Sequence, residues 1–303
     1  MTKTQSRLTD SWPFKLAILA AAVLWLAAMM APQGRAADGE ATRIVAIGGS
    51  VTEIVYALGE QDRLVARDTT SVFPEAANAL PDIGYIRALS PEGVLSVSPD
   101  MILSLEGAGP PEAVAVLKSA GIRFVEIPEG YDRAAIGAKI RAVGTALGAE
   151  QKAEELAARV DAGLERAETV AANVADKRRV LFILSMAGGR IMTAGSGTHA
   201  DGIIALAGGE NAIGGLDDYK QVTDEAVVTA QPDVILMMDR SGDHAAANAE
   251  LFAHPAIALT PAAKTRSVVR MDGMYLLGFG PRTAAAASDL NEALYGAAQA
   301  AGN

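Results

Sequence analysis

The side chains best equipped for chemistry in this chain are a phenol and a guanidinium two residues apart, Tyr85 and Arg87, in the segment Gly84-Tyr-Ile-Arg-Ala-Leu-Ser-Pro-Glu-Gly. A phenolate is a hard, anionic oxygen donor suited to ferric iron, but an unperturbed tyrosine has a pKa of about 10 and needs help to ionise at neutrality. Bound iron would supply most of that help, and a neighbouring cation more. In an extended segment the side chains at i and i+2 point the same way, which would set Arg87 beside a Tyr85 phenolate. The bland alternative is a half-buried loop aromatic next to a solvated charge. A second phenol and cation, Tyr219 and Lys220, stand together later in the chain, with the same two readings open.

Other candidates are single residues. Arg240 follows an apolar run at 234–239, so it belongs at the C-terminal end of a strand, where α/β lobes bind ligands; an ordinary surface arginine is the alternative. His199 lies near a helix start and His244 in a polar loop, each a candidate second iron ligand or simply a cap or loop residue. His254, between Ala253 and Pro255, reads as structural. The absence of Cys excludes disulfides, zinc-thiolate sites, iron–sulfur clusters, thiol catalysis and a lipidated N-terminal cysteine. Three scattered histidines argue against zinc or manganese capture, and both tryptophans, Trp12 and Trp25, fall within the first thirty positions, which argues against aromatic stacking boxes. No phosphate loop, His-Glu-x-x-His or Gly-x-Ser-x-Gly is present; Gly48-Gly-Ser50 and Gly195-Ser-Gly197 read as cap and turn residues, so an enzyme is only the rival class.

The elements that must position these residues belong to a chain of 303 residues, half of them hydrophobic, with formal charge −10, enough for two modest domains and unlike a basic nucleic-acid binder. Lys3, Arg7 and Lys15 precede an uncharged run, Leu16 to Ala31, followed by small residues: the layout of a signal peptide over 1–36, an uncleaved anchor being the alternative. Cleavage after Ala36 would remove four cations and Asp10 and take the charge from −10 to −13. The remainder reads as an α/β protein in two lobes. In the first, 42–131, Arg43-Ile-Val-Ala-Ile-Gly predicts a strand, and Ser50 with Glu53 predicts a capping box opening a helix through Leu58. Further strands are expected at 64–66, 101–105 and 122–127, with a helix at 111–120. The connection, 132–177, predicts a helix to Leu147 and then a longer one over 149–176, about 42 Å at full length, suited to a strut between lobes. The second lobe, 178–303, opens with the strand Arg179-Val-Leu-Phe-Ile-Leu, turns at Gly188-Gly189, and continues through a helix at 198–206, a strand at 234–238 and a helical tail at 283–301.

The two lobes carry an internal repeat. Leu89-Ser-Pro-Glu-Gly-Val-Leu-Ser-Val-Ser-Pro-Asp-Met-Ile-Leu aligns with Val222-Thr-Asp-Glu-Ala-Val-Val-Thr-Ala-Gln-Pro-Asp-Val-Ile-Leu at an offset of 133. In each copy a hydroxyl caps a short helix bearing a first-turn glutamate, and Pro-Asp opens a buried strand. Tyr85-Ile-Arg87 and Tyr219-Lys220 lie just upstream of the copies, so facing lobes would bring them to one cleft.

The segment from Gly84 to Ser96 resembles the signature of periplasmic haem-binding proteins that serve ABC-type haem importers. The opening at 43–58, Asp218-Tyr-Lys, Gln231-Pro-Asp-Val-Ile-Leu and Leu277-Gly-Phe-Gly-Pro-Arg282 support the resemblance, which spans roughly residues 42–300. These supporting segments are shared more widely with binding proteins for cobalamin and ferric siderophores, which stay open as ligands. The resemblance implies two lobes joined by a rigid helix, ferric haem between them as the transported ligand, and Tyr85 as axial iron ligand supported by Arg87. Arg240, Tyr219 and Lys220 would contact the haem or its propionates. It also implies a periplasmic monomer that docks an ABC permease, with its ATPase subunits, through Glu92 and Glu225; helix-end stabilisation is the plainer use of those glutamates.

Overall fold

The computed structural model describes residues 41–239 and 248–301, so the expected leader, Arg240 and His244 lie outside the described residues. Branched, fully buried Ile44–Ile47 forms strand β1. A strand apolar on both faces belongs inside a parallel sheet covered by helices. It pairs in parallel with β2 (Leu64–Arg67) and β3 (Met101–Leu105), and β4 (Arg123–Ile127) extends the sheet to the order β2-β1-β3-β4. Helices α1 (Gly49–Ala57), α2 (Pro91–Leu95), α3 (Pro111–Ser119) and α4 (Arg133–Leu147) accompany it.

The second lobe is built on β5 (Arg179–Ser185), which turns through Gly188 and Gly189, both at positive φ, into antiparallel β6 (Met192–Ala194). The sheet order is β10-β9-β5-β6-β8, from β8 (Tyr219–Gln221), β9 (Val234–Asp239) and β10 (Val268–Asp272), with β7 (Glu210–Asn211) beside β5. Its helices are α6 (His199–Leu206), α7 (Asp224–Ala230), short α8 (Asn248–Ala253), α9 (Pro255–Ala258), α10 (Pro261–Thr265) and α11 (Gly273–Leu277), and the tail α12 (Thr283–Ala301).

The repeat is structural. Ser90 caps α2 by accepting from the Gly93 amide at 3.4 Å, and Thr223 caps α7 by accepting from the Ala226 amide at 3.2 Å. Asp100 then accepts from the Arg43 amide at 3.1 Å and Asp233 from the Arg179 amide at 2.9 Å, so each copy pins the start of its lobe's central strand.

Between the lobes runs α5 (Glu150–Ala172), 23 residues or about 35 Å. It is shorter than expected because the Asn173 side chain donates to Thr169 O at 2.9 Å and closes the last turn there. Its buried stripe, from Ala153 through Leu156, Val160 and Leu164 to Ala171, packs on α4 on one side and on α6 and α12 on the other. A Cβ on Gly144 would sit 2.1 Å from that of Ala153, so only glycine lets α4 and α5 come this close. One apolar core runs from Ile44 and Leu103 through α5 to Phe182 and Leu290, spanning both lobes.

The capping box expected at Ser50 does not form. Gly48, at φ 112°, turns the chain so that the helix starts at Gly49. Glu53 instead reaches across to the second lobe, where the Arg282 Nε donates to it at 3.0 Å, and Arg282 also stacks 3.6 Å from the centre of the Phe73 ring. The Ser50 hydroxyl is left buried without a partner among the described residues.

Candidate functional site

A cleft of about 1240 Å³ opens between the lobes, above the roughly 300–1,000 Å³ typical of drug-sized ligands and so scaled for a macrocycle. Tyr85 and Arg87 both line it. They are not on an extended segment: the Ala88 amide donates to Tyr85 O at 2.8 Å, making a turn whose ends are tied by Gly109 N to Ile86 O and Leu89 N to Gly109 O. Ile86 packs against the core beneath, and Tyr85 and Arg87 flank it, exposed. Both side chains thus line the cleft from a turn with an apolar anchor at its centre, not from the extended segment expected. Tyr85 is 47% exposed, unusually open for a tyrosine on a cleft wall.

Deeper in the cleft stands a cluster that sequence reasoning missed. Lys139, fully buried on α4, donates to Glu129 Oε1 at 2.5 Å and to Phe279 O at 3.0 Å. The other Glu129 oxygen lies 3.5 Å from His199 Nε2. The His199 ring is 4.3 Å from Tyr131 and 5.7 Å from Phe279, so residues of both lobes meet here. Burial alone would raise the Glu129 carboxyl, but His199 and the Lys139 ammonium outweigh it and hold it below the ordinary carboxylate value. Burial pushes the Tyr131 phenol up, helped by the Glu129 charge and opposed by Arg87. Arg87 therefore faces Tyr131 electrostatically as well as lying beside Tyr85. Of its members the sequence singles out only His199; Lys139 shows there merely as a lysine at an apolar helix position, which is too common in an amphipathic pattern to single out.

Tyr219 also lines the cleft, but burial drives its phenol up to about 12, against the opposing influence of the Ala200 amide and Thr198. Lys220, the next residue on β8, is exposed and is not among the cleft-lining residues, because neighbours on a strand face opposite sides. His199 is the first residue of α6, capped by Thr198, and lines the cleft. His254 caps α9 and its Nε2 lies 2.9 Å from Gly189 O, the structural use expected of it. Glu92 and Glu225 are exposed in the first turns of α2 and α7, outside the cleft. Among the described lining residues Arg87 is the lone lysine or arginine, set against Glu106, Glu129, Asp218, Asp239 and Asp272.

Residues 44–275 match the periplasmic binding protein family. Among solved structures, the chain is similar to the periplasmic haem-binding protein BhuT, captured in complex with two haems, at 40% identity over 86% of this chain and 99% of that one, with a TM-score of 0.81. It is 28% identical to the uncharacterised ABC transporter substrate-binding lipoprotein YvrC of Bacillus subtilis, over 84% of this chain and 81% of the relative. It is also 26% identical to the vitamin B12-binding protein of Vibrio campbellii, over 72% of this chain and 76% of the relative.

Proposed function

The chain belongs to the periplasmic binding protein family, and on that premise we propose that it captures ferric haem between its lobes and delivers it to an ABC-type importer. The observation that carries this reading is the open Tyr85 phenol on a macrocycle-sized cleft, whose described lining holds Arg87 as its lone lysine or arginine. A tyrosine oxygen is an established kind of axial haem ligand, and the acidic walls suit the positive ferric centre. The 40% identity to a haem-binding structure, against 26% to a cobalamin-binding relative, supports haem over cobalamin. Tyr85 is the iron ligand and Arg87 supports its phenolate. His199 and Tyr131 face the ligand from deeper in the cleft, and Tyr219 is a neutral wall. The reading includes export on the N-terminal leader and docking of the permease through Glu92 and Glu225.

Titration of the purified protein with hemin and, separately, with cyanocobalamin tests it. Hemin should give a high-spin ferric spectrum with a phenolate charge-transfer band, and Tyr85→Phe should lose that band and at least tenfold in affinity. Cyanocobalamin binding in place of hemin would assign the cleft to a corrin.

A further inference from the structure

The hydroxyl that failed to cap its helix points to a second use. Ser50 is 1% exposed, its Oγ has no hydrogen-bond partner, and the residue lines the cleft. It stands in the first turn of α1, a nine-residue helix with no side-chain cap and no acidic residue in that turn. The neighbouring amides are occupied: Gly48 N donates to Asp68 Oδ1 at 2.9 Å and Gly49 N to Thr70 Oγ1 at 3.1 Å. The Ser50 amide, like its hydroxyl, has no partner among the described residues. Unpaired buried hydroxyls are uncommon, and this one, beside a free first-turn amide on a ligand cleft, calls for an acceptor that the described residues do not supply. A helix N-terminus adds partial positive charge.

The surroundings fit a ligand oxygen. Asp68, which accepts from the Gly48 amide, is already satisfied by donors from Gly48, Thr70 and Ser71. The glycines around Ser50 allow close packing: a Cβ on Gly280 would come within 3.2 Å of the Ser50 Cβ, and one on Gly49 would strike the Met274 methyl at 2.5 Å and the Thr70 carbonyl oxygen at 2.7 Å. Met274, unbranched and adaptable, is the side chain that would turn to admit the ligand group. Elsewhere the described walls carry five carboxylates against Arg87, so an anionic substituent finds few positive places.

We propose that Ser50 and the N-terminus of α1 form the cleft's anchor for a carboxylate of the bound ligand. On the haem reading, on which this rests, that group is a propionate. The test titrates wild type and Ser50→Ala with hemin and with hemin dimethyl ester, whose carboxylates are masked. Wild type should prefer hemin, and Ser50→Ala should lose roughly tenfold in hemin affinity, as expected for one hydrogen bond to a charged acceptor, while ester binding barely changes. The phenolate band should persist, and the apo variant should melt no lower than wild type, because the lost hydroxyl had no partner. Ser50→Gly provides the same comparison if alanine disturbs the packing under Gly280. Equal hemin affinity in wild type and variant, or an equal loss on the ester, would overturn the Ser50 assignment alone. Failure of the wild type to bind either porphyrin would overturn the haem reading and this anchor with it.

Discussion

Lys139→Met should destabilise the protein by about 3 kcal/mol, the low end of what breaking one side of a buried ion pair costs. Lys139 is wholly buried and holds both Glu129 and the Phe279 carbonyl, so the substitution strands a carboxylate in the first lobe and an acceptor in the second. The low end applies because Glu129 keeps its Gly130 amide and its His199 neighbour. For a domain of this size the loss corresponds to a fall in Tm of about 6–12 °C. Adding Glu129→Gln removes the stranded charge and should recover about half of the loss. The pH dependence has a definite sign. In the wild type the Glu129 carboxyl is held low, so its contribution is present above the ordinary carboxylate range and is lost as pH falls through its folded value. In Lys139→Met the same carboxyl loses its cation and rises, so the variant's deficit should be large at pH 8 and shrink towards pH 5. Thermal melts of the three proteins across that range are the assay. A single variant within 0.5 kcal/mol of wild type, or a double variant no better than the single, would refute the view that this pair secures the lobes.

Arg87→Ala should weaken hemin binding several-fold and move the Tyr131 phenol further up, since Arg87 is the charge that opposes the upward push there; tyrosinate absorbance during a pH titration reads the second effect. Haem binding should change the radius of gyration very little, because Lys139 and Glu53 both fasten the 279–282 turn of the second lobe to the first; a large contraction in small-angle scattering would contradict this. Glu92→Ala with Glu225→Ala should leave hemin affinity intact and slow transfer to the permease most at low salt, since exposed charges act chiefly by steering. Normal uptake by the double variant in reconstituted vesicles would return both glutamates to helix-end duty.

The architecture was legible where local chemistry and the fold agree. The run Ile44–Ile47 forms the strand its branched residues predict, Ser90 and Thr223 cap the helices that the repeat assigns them, and Gly188-Gly189 makes the turn it predicts. The main failures share a cause, which is that the competing partner comes from far along the chain. Ser50 and Glu53 have the spacing of a capping box, yet Glu53 is drawn to Arg282, 229 residues away, and Gly48 offers the helix an earlier start. Tyr85 and Arg87 share the cleft as expected, although by a turn anchored at Gly109 rather than by strand alternation. Lys139, Glu129 and Tyr131 went unread because nothing in their own neighbourhoods says that Phe279 and His199 will meet them.

The distribution of charge in the cleft follows from how the two lobes are held. Lys139 and Arg282 are both spent on fastening the lobes, the one to Glu129 and Phe279, the other to Glu53. Burial raises the Glu53 carboxyl above its ordinary value even with Arg282 beside it, so this contact is held by geometry and packing more than by favourable charge burial. What remains facing the ligand is Arg87 and a surplus of carboxylates. A ferric porphyrin meets such walls with its positive centre, whereas its two carboxylates need separate accommodation. On the proposed haem reading, Tyr85 would answer the first requirement as the iron ligand, and the N-terminus of α1 at Ser50 would answer the second for one carboxylate. A strongly anionic ferric chelate has no comparable way to divide its charge and should be the poorest competitor for the cleft.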